Sequence, residues 1–208
     1  MHDCKQAWIN LTVAFIFLVL WFLLALAASW FRWLENIPSA VLFVTGAVIP
    51  AAGFFAAYLC SESFRQLVLA QRLRTVTLMQ VMRVVGFFFL IAYGKNLPRV
   101  FALPTGLTDL AVAITAPLAA FLLVSSQGNP KPGLFWWHIL GVLAELISGT
   151  MGVLTSPTPL GILTGNLTSQ PVSGWPLSLT PTFVGPLTLI FHLMALCIIH
   201  APIHSSRH

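Results

Sequence analysis

Charge is what this sequence has least of. Only 7% of its 208 residues are Asp, Glu, Lys or Arg, against about a quarter in soluble domains. An ordinary water-soluble globule is therefore excluded. Cysteine is equally sparse: Cys4, Cys60 and Cys197 are an odd number, widely spaced and without a CxxC pair. They indicate neither a disulfide framework nor a zinc site, and read as small apolar fillers. The chain has no basic run interleaved with aromatics and no zinc-finger or RNA-binding signature. Nucleic acid is thus not an expected partner, despite a net charge of +5 and a pI near 9.6. GxSxG, HExxH and Glu-x-x-His are missing too, as are a Gly-rich phosphate loop, a heptad register and an internal repeat. Only Asp109 and Glu145 could supply a carboxylate pair for intramembrane hydrolysis, and they fall on different helices, so an enzyme is not the favoured expectation.

What remains is apolar, at 58% of the residues. At about 20 apolar residues per crossing, the chain has room for five to seven spans. The expected fold is all-α, a polytopic membrane helical bundle forming one integral membrane domain over 1–208. Its six spans are expected near 8–31, 38–60, 75–94, 98–126, 133–156 and 183–201. The first apolar run ends at Ala27-Ala28-Ser29, which resembles a signal-peptide cleavage site. That run exceeds the roughly 7–15 residues of a signal core, however, and Trp30, Phe31 and Trp33 continue it as an interfacial aromatic belt, so it reads as a span. Pro104 either starts or kinks the fourth span, Pro186 kinks the last, and Gly94 stops the third.

Residues 157–182 carry no charge, five prolines and three glycines. The segment is too broken for a helix and too apolar for a free loop. Irregular backbone near a membrane has to be buried in protein or line a wet cavity, so a re-entrant or lid-like cap is expected before the last span. Basic residues outside the spans divide unequally. Lys5, Arg65, Arg72, Arg74, Lys131 and Arg207 fall on one side, and Arg32, Lys95 and Arg99 on the other. The positive-inside rule then puts both termini in the cytoplasm and the cap outside.

A few residues do not belong in lipid. Arg83, Asp109, Glu145, His138 and His192 lie within the spans, with His200 near an end, and each would cost a few kcal/mol if left unpaired at the bilayer centre. Thr77, Gln80, Arg83 and Gly86 recur at i, i+3 on the third span. Counted at 1.5 Å per residue, Arg83, Glu145 and His192 share one mid-membrane layer, which Asp109 joins from the other side. Such groups mark solute, ion or proton pathways, or else form a structural Arg–carboxylate pair.

Three functional readings stay open. The first is a bundle that binds or conducts a small solute or ion around Arg83, Asp109, Glu145, His192 and Gln80. The second is a redox subunit holding haem b or quinone at His138, His192 or His200, with His138 and His200 at matching depths as possible axial ligands. The third is an accessory subunit whose 16 Phe and 7 Trp pack on a larger membrane complex; separately from these readings, a homo-oligomer stays open.

The stretch from Gly94 to Asp109, with Leu97-Pro98, Phe101-Ala102, Pro104 and Gly106, resembles a pattern found in uncharacterised bacterial multi-pass membrane proteins. So does the stretch from Pro176 to His192, with Pro181, Phe183 and Pro186-Leu187. Thr105 and Thr108 depart from it, where small residues are expected. The resemblance implies a bacterial inner membrane and draws attention to Asp109 and His192, without implying a reaction.

Overall fold

The structure, a computed structural model, describes residues 2–125 and 128–201, with side chains from Leu11 onward. Lys5 and Arg207 of the charge count, with Cys4, therefore lie outside the described side chains. Six helices are long and apolar enough to cross a membrane: Leu11–Trp30, Ser39–Cys60, Leu73–Ala92, Arg99–Leu122, Pro132–Leu154 and Thr180–His200. No strand occurs among the described residues, as expected where lipid cannot satisfy an open sheet edge. The protein is an all-α helical bundle with the build of a multi-pass membrane protein.

In chain order the helices are α1 (His2–Trp30), α2 (Ser39–Cys60), α3 (Glu62–Leu69), α4 (Leu73–Leu78), α5 (Phe87–Ala92), α6 (Arg99–Leu122), α7 (Pro132–Leu154) and α8 (Gly185–His200). Several differ from the expected boundaries for local reasons. The connection at 61–74 contains α3, started by Ser61, whose side chain accepts from the Phe64 N–H. Pro98 starts α6 and Pro104 lies inside it. Pro186 lies in the lid-side third of the last span, Thr180–His200. It occupies the first turn of α8, directly behind a π-helical turn at Thr180–Val184.

The third span is not one α-helix. Between α4 and α5 it tightens into a 3-10 helix over Met79–Gly86, eight residues long. Residues three apart eclipse one another in a 3-10 helix, whereas in an α-helix the same spacing drifts by about 60° per step. Gln80, Arg83 and Gly86 consequently form one straight row, and all three are buried.

Apolar clusters occupy both ends of the bundle. Leu73, Val76, Ala119, Val124, Leu134 and Ala195 pack together at one end. Phe89, Ala92, Leu97, Phe101, Ala102 and Val172 pack at the other. Between them lie the polar residues that the membrane cannot solvate. α1 is peripheral: Ala25 packs with Phe183 and Leu187, Trp21 Nε1 donates to the Thr182 carbonyl at 3.0 Å, and most of its outer face is exposed. Large apolar side chains such as Ile114, Leu140 and Ile147 are likewise exposed around the bundle, as suits a hydrocarbon solvent.

Residues 157–182 form a lid across one end. The Gln170 side chain accepts from the Ser39 N–H at 3.1 Å and donates to the Glu35 and Ile37 carbonyls, both at 2.9 Å. Ser173 Oγ donates to Ile37 O, Ser169 pairs with Ser39 at 2.8 Å, and Ser178 pairs with Ser29. The lid thereby supplies an acceptor for the first N–H of α2. Its tip is solvent-facing or lipid-facing, with Leu160 and Ile162 exposed.

Candidate functional site

The 3-10 row aims two side chains into the bundle. Arg83, 1% exposed, donates from Nε and Nη2 to Asp109 Oδ1 at 3.0 and 2.5 Å. Its Nη1 donates to the Gly141 carbonyl at 3.3 Å and lies 3.5 Å from Glu145 Oε1. Gly86 lets α6 approach, since a Cβ there would overlap Asp109. One turn back, Gln80 Nε2 donates to the Thr188 carbonyl at 3.0 Å, and the Thr188 hydroxyl reaches Glu145 Oε1 at 2.6 Å. The expected residues Gln80, Arg83, Asp109 and Glu145 are thus brought into one network, with Asp109 in direct contact and Glu145 looser.

His192 belongs to an adjoining chain of bonds. His138 Nδ1 and His192 Nδ1 are 2.8 Å apart, and His138 Nε2 is 3.2 Å from Thr77 Oγ1. Thr77 gives its hydroxyl proton to Leu73 O at 2.8 Å, so it accepts from His138 Nε2–H. For two neutral imidazoles, His138 Nδ1 then accepts from His192 Nδ1–H, leaving His192 Nε2 as a bare lone pair. The His192 ring lies directly on Gly141, where a Cβ would overlap it. Gly141 therefore joins the two halves, touching His192 with its Cα and Arg83 with its carbonyl.

The suggested pairing of His138 with His200 is not what the fold makes. His200 is exposed, with Nδ1 on the Leu196 carbonyl at 3.0 Å and its ring against Phe135. His138 instead commits both ring nitrogens to Thr77 and His192. Among the described residues, no group of three or more His, Cys, Asp or Glu is placed to hold a metal ion.

A cavity of about 370 Å³ opens beside the network between α2, α6, α7 and the start of α8. Its polar lining is Asp109, Glu145, Thr105, Ser148, Thr150 and Thr180, and its apolar walls include Phe43, Phe89 and Leu189. Thr105 Oγ1 and Ser148 Oγ are buried without hydrogen-bond partners, as are Gln80 Oε1 and His192 Nε2 behind them. Buried polar atoms are nearly always paired, at about nine in ten or more, so four orphans around one layer set it apart from an ordinary core.

Residues 38–200 match the family model described as Domain of unknown function (DUF8737). The chain belongs to this family. No curated protein and no solved structure matches it. The matched stretch runs from the start of α2 to the end of α8 and contains every residue of the network and cavity.

Thr105, Ser148, Thr188 and Gly141 were not among the expected site residues, although a signal for some of them was present. On α7 the buried positions are Leu134, His138, Gly141, Ala144, Ser148 and Gly152. That row of small and polar residues on a helix otherwise rich in Leu, Ile and Trp marks an inward face. Thr105 stood out only as a departure from the resembling pattern.

Proposed function

We propose that this protein binds or conducts a small solute or ion at a mid-membrane polar site, with Asp109 and Glu145 as the groups presented to it. Arg83, Gln80 and His192 act from behind as positioning residues, because none of them lines the cavity. One observation carries the reading: Thr105 and Ser148, whose hydroxyls are buried without partners, line a cavity whose wall also includes both carboxylate residues. A merely structural ion pair accounts for Arg83 and Asp109 but for neither hydroxyl nor the space between them. Volumes of about 300–1,000 Å³ with a few convergent polar groups are typical of ligand sites. The excess of Arg and Lys at the end opposite the lid supports a cytoplasmic location for that end, and the resemblance favours a bacterial inner membrane.

Access tests the proposal. In a background with Cys4, Cys60 and Cys197 replaced by Ala, Ser148→Cys should react with a small methanethiosulfonate in the folded, membrane-embedded protein. A thiol that reacts only after denaturation would overturn the reading, since no solute could then reach the site.

A further inference from the structure

The cavity's chemistry restricts what it can hold; this rests on the reading above that it is a binding site. Both Arg83 bonds to Asp109 end on Oδ1, and Thr188 and Arg83 both approach Glu145 at Oε1. No described residue donates a hydrogen bond to Asp109 Oδ2 or Glu145 Oε2. One guanidinium is shared by two carboxyl groups, and the cavity lining contains no Lys, Arg or His. The polar side chains lining the space are therefore two carboxylates and four hydroxyls. An anionic head group would meet repulsion from the carboxylates, and an acceptor-only one would find donors only in the hydroxyls. A head group rich in N–H donors and positively charged meets acceptors on several sides.

The opening determines the rest of the molecule. Val44 and Val48 of α2 and Leu146 of α7 line the cavity yet are 48%, 58% and 52% exposed. Val48 lies nine residues from the start of α2, about 14 Å along its axis, and Leu146 eight residues from the end of α7, about 12 Å. The opening thus runs from the middle of a hydrocarbon core about 30 Å thick toward the lid end, where exposed Thr150 lies about 6 Å from the end of α7, and its deep part is lined by apolar side chains. Nearer the lid, α2 and α7 touch where Gly152 packs flat against the Phe43 ring.

We propose that the cavity takes a hydrophobic primary amine, as its alkylammonium ion, from the hydrocarbon phase through the gap between α2 and α7. The ammonium bonds to Asp109 Oδ2 and Glu145 Oε2, with the Thr105 and Ser148 hydroxyls completing its shell. The alkyl part lies against Phe43, Phe89 and Leu189.

The test uses the full chain in lipid nanodiscs and reads apparent affinity from the shift in thermal unfolding, with decylammonium, decanol, decanoate and ethylammonium as probes. Decylammonium should bind at least tenfold more tightly than the other three. Glu145→Gln keeps the Thr188 bond through its amide oxygen and should fold, but should lose about tenfold for decylammonium while leaving decanol unchanged. Ser148→Trp, which fills the cavity, should abolish the shift. Decanol or decanoate binding as well as decylammonium, or Glu145→Gln without effect, would overturn the ammonium assignment. Ethylammonium binding equally well would overturn the apolar half. Should Ser148→Cys react while no amphiphile binds, only this inference fails; an inaccessible Ser148→Cys removes both it and the site reading.

Discussion

Replacing Asp109 by Asn keeps the side chain's shape and removes the charge that Arg83 contacts most closely. The two groups are 1% and 8% exposed at the side chain, so water cannot replace the lost partner. Removing one member of a buried pair costs about 3–5 kcal/mol, mainly through the charge left behind. Here Glu145 at 3.5 Å and the Gly141 carbonyl remain as partners, which places Asp109→Asn at the low end, about 3 kcal/mol. Glu145→Gln retains the Thr188 bond and breaks a looser contact at a group 16% exposed, so about 1 kcal/mol is expected from the range for partly solvated pairs. The double variant leaves Arg83 with no counter-charge at all. Its loss should exceed the sum of the single losses by at least about 1 kcal/mol, because each carboxylate is the other's substitute. Equilibrium unfolding in mixed detergent and dodecyl sulfate micelles, followed through the 7 tryptophans, measures all three. Losses that add to within about 0.5 kcal/mol would refute the claim that Glu145 is a second partner of Arg83.

The other expectations follow from close approaches and the lid. Gly141→Ala pushes a methyl into the His192 ring and breaks the 2.8 Å His138 contact; overpacking and a lost hydrogen bond together predict about 2–4 kcal/mol. Gly149→Ala on the same helix meets nothing within 4 Å and should unfold like the parent, so equal effects at both glycines would count against the packing argument. Gln170→Ala removes three bonds, two to the α1–α2 connection and one from the first N–H of α2. It should destabilise by about 1–3 kcal/mol and speed proteolysis within 157–182, and an unchanged cleavage rate would show that the lid is held by other contacts.

The span positions were readable to within a few residues because each is set by run length and composition. The i, i+3 row of Thr77, Gln80, Arg83 and Gly86 was readable as well, though its straightness was not. An α-helix would turn Gln80 and Gly86 to different faces, and the 3-10 segment that aligns them has no distinctive sequence mark. Arg83, Glu145 and His192 could be assigned to one layer by counting depth, with Asp109 joining it from the other side. Counting also suggested His138 with His200, because equal depth says nothing about which way a side chain points. Gly141 decides that point: its missing side chain leaves room for the His192 ring and draws His192 to His138.

By itself, then, the sequence determined membrane residence, the number and order of the spans, and the short list of charges that lipid cannot hold. Those properties follow from hydrophobic run length measured against a bilayer about 30 Å thick. Which of these residues meets which, and that Thr105 and Ser148 line a cavity, was settled by the tertiary structure alone. Partner choice depends on helix rotation and closeness of approach, set at Gly86, Gly141 and Gly152 by side chains from other helices, and no local pattern along one helix contains that information.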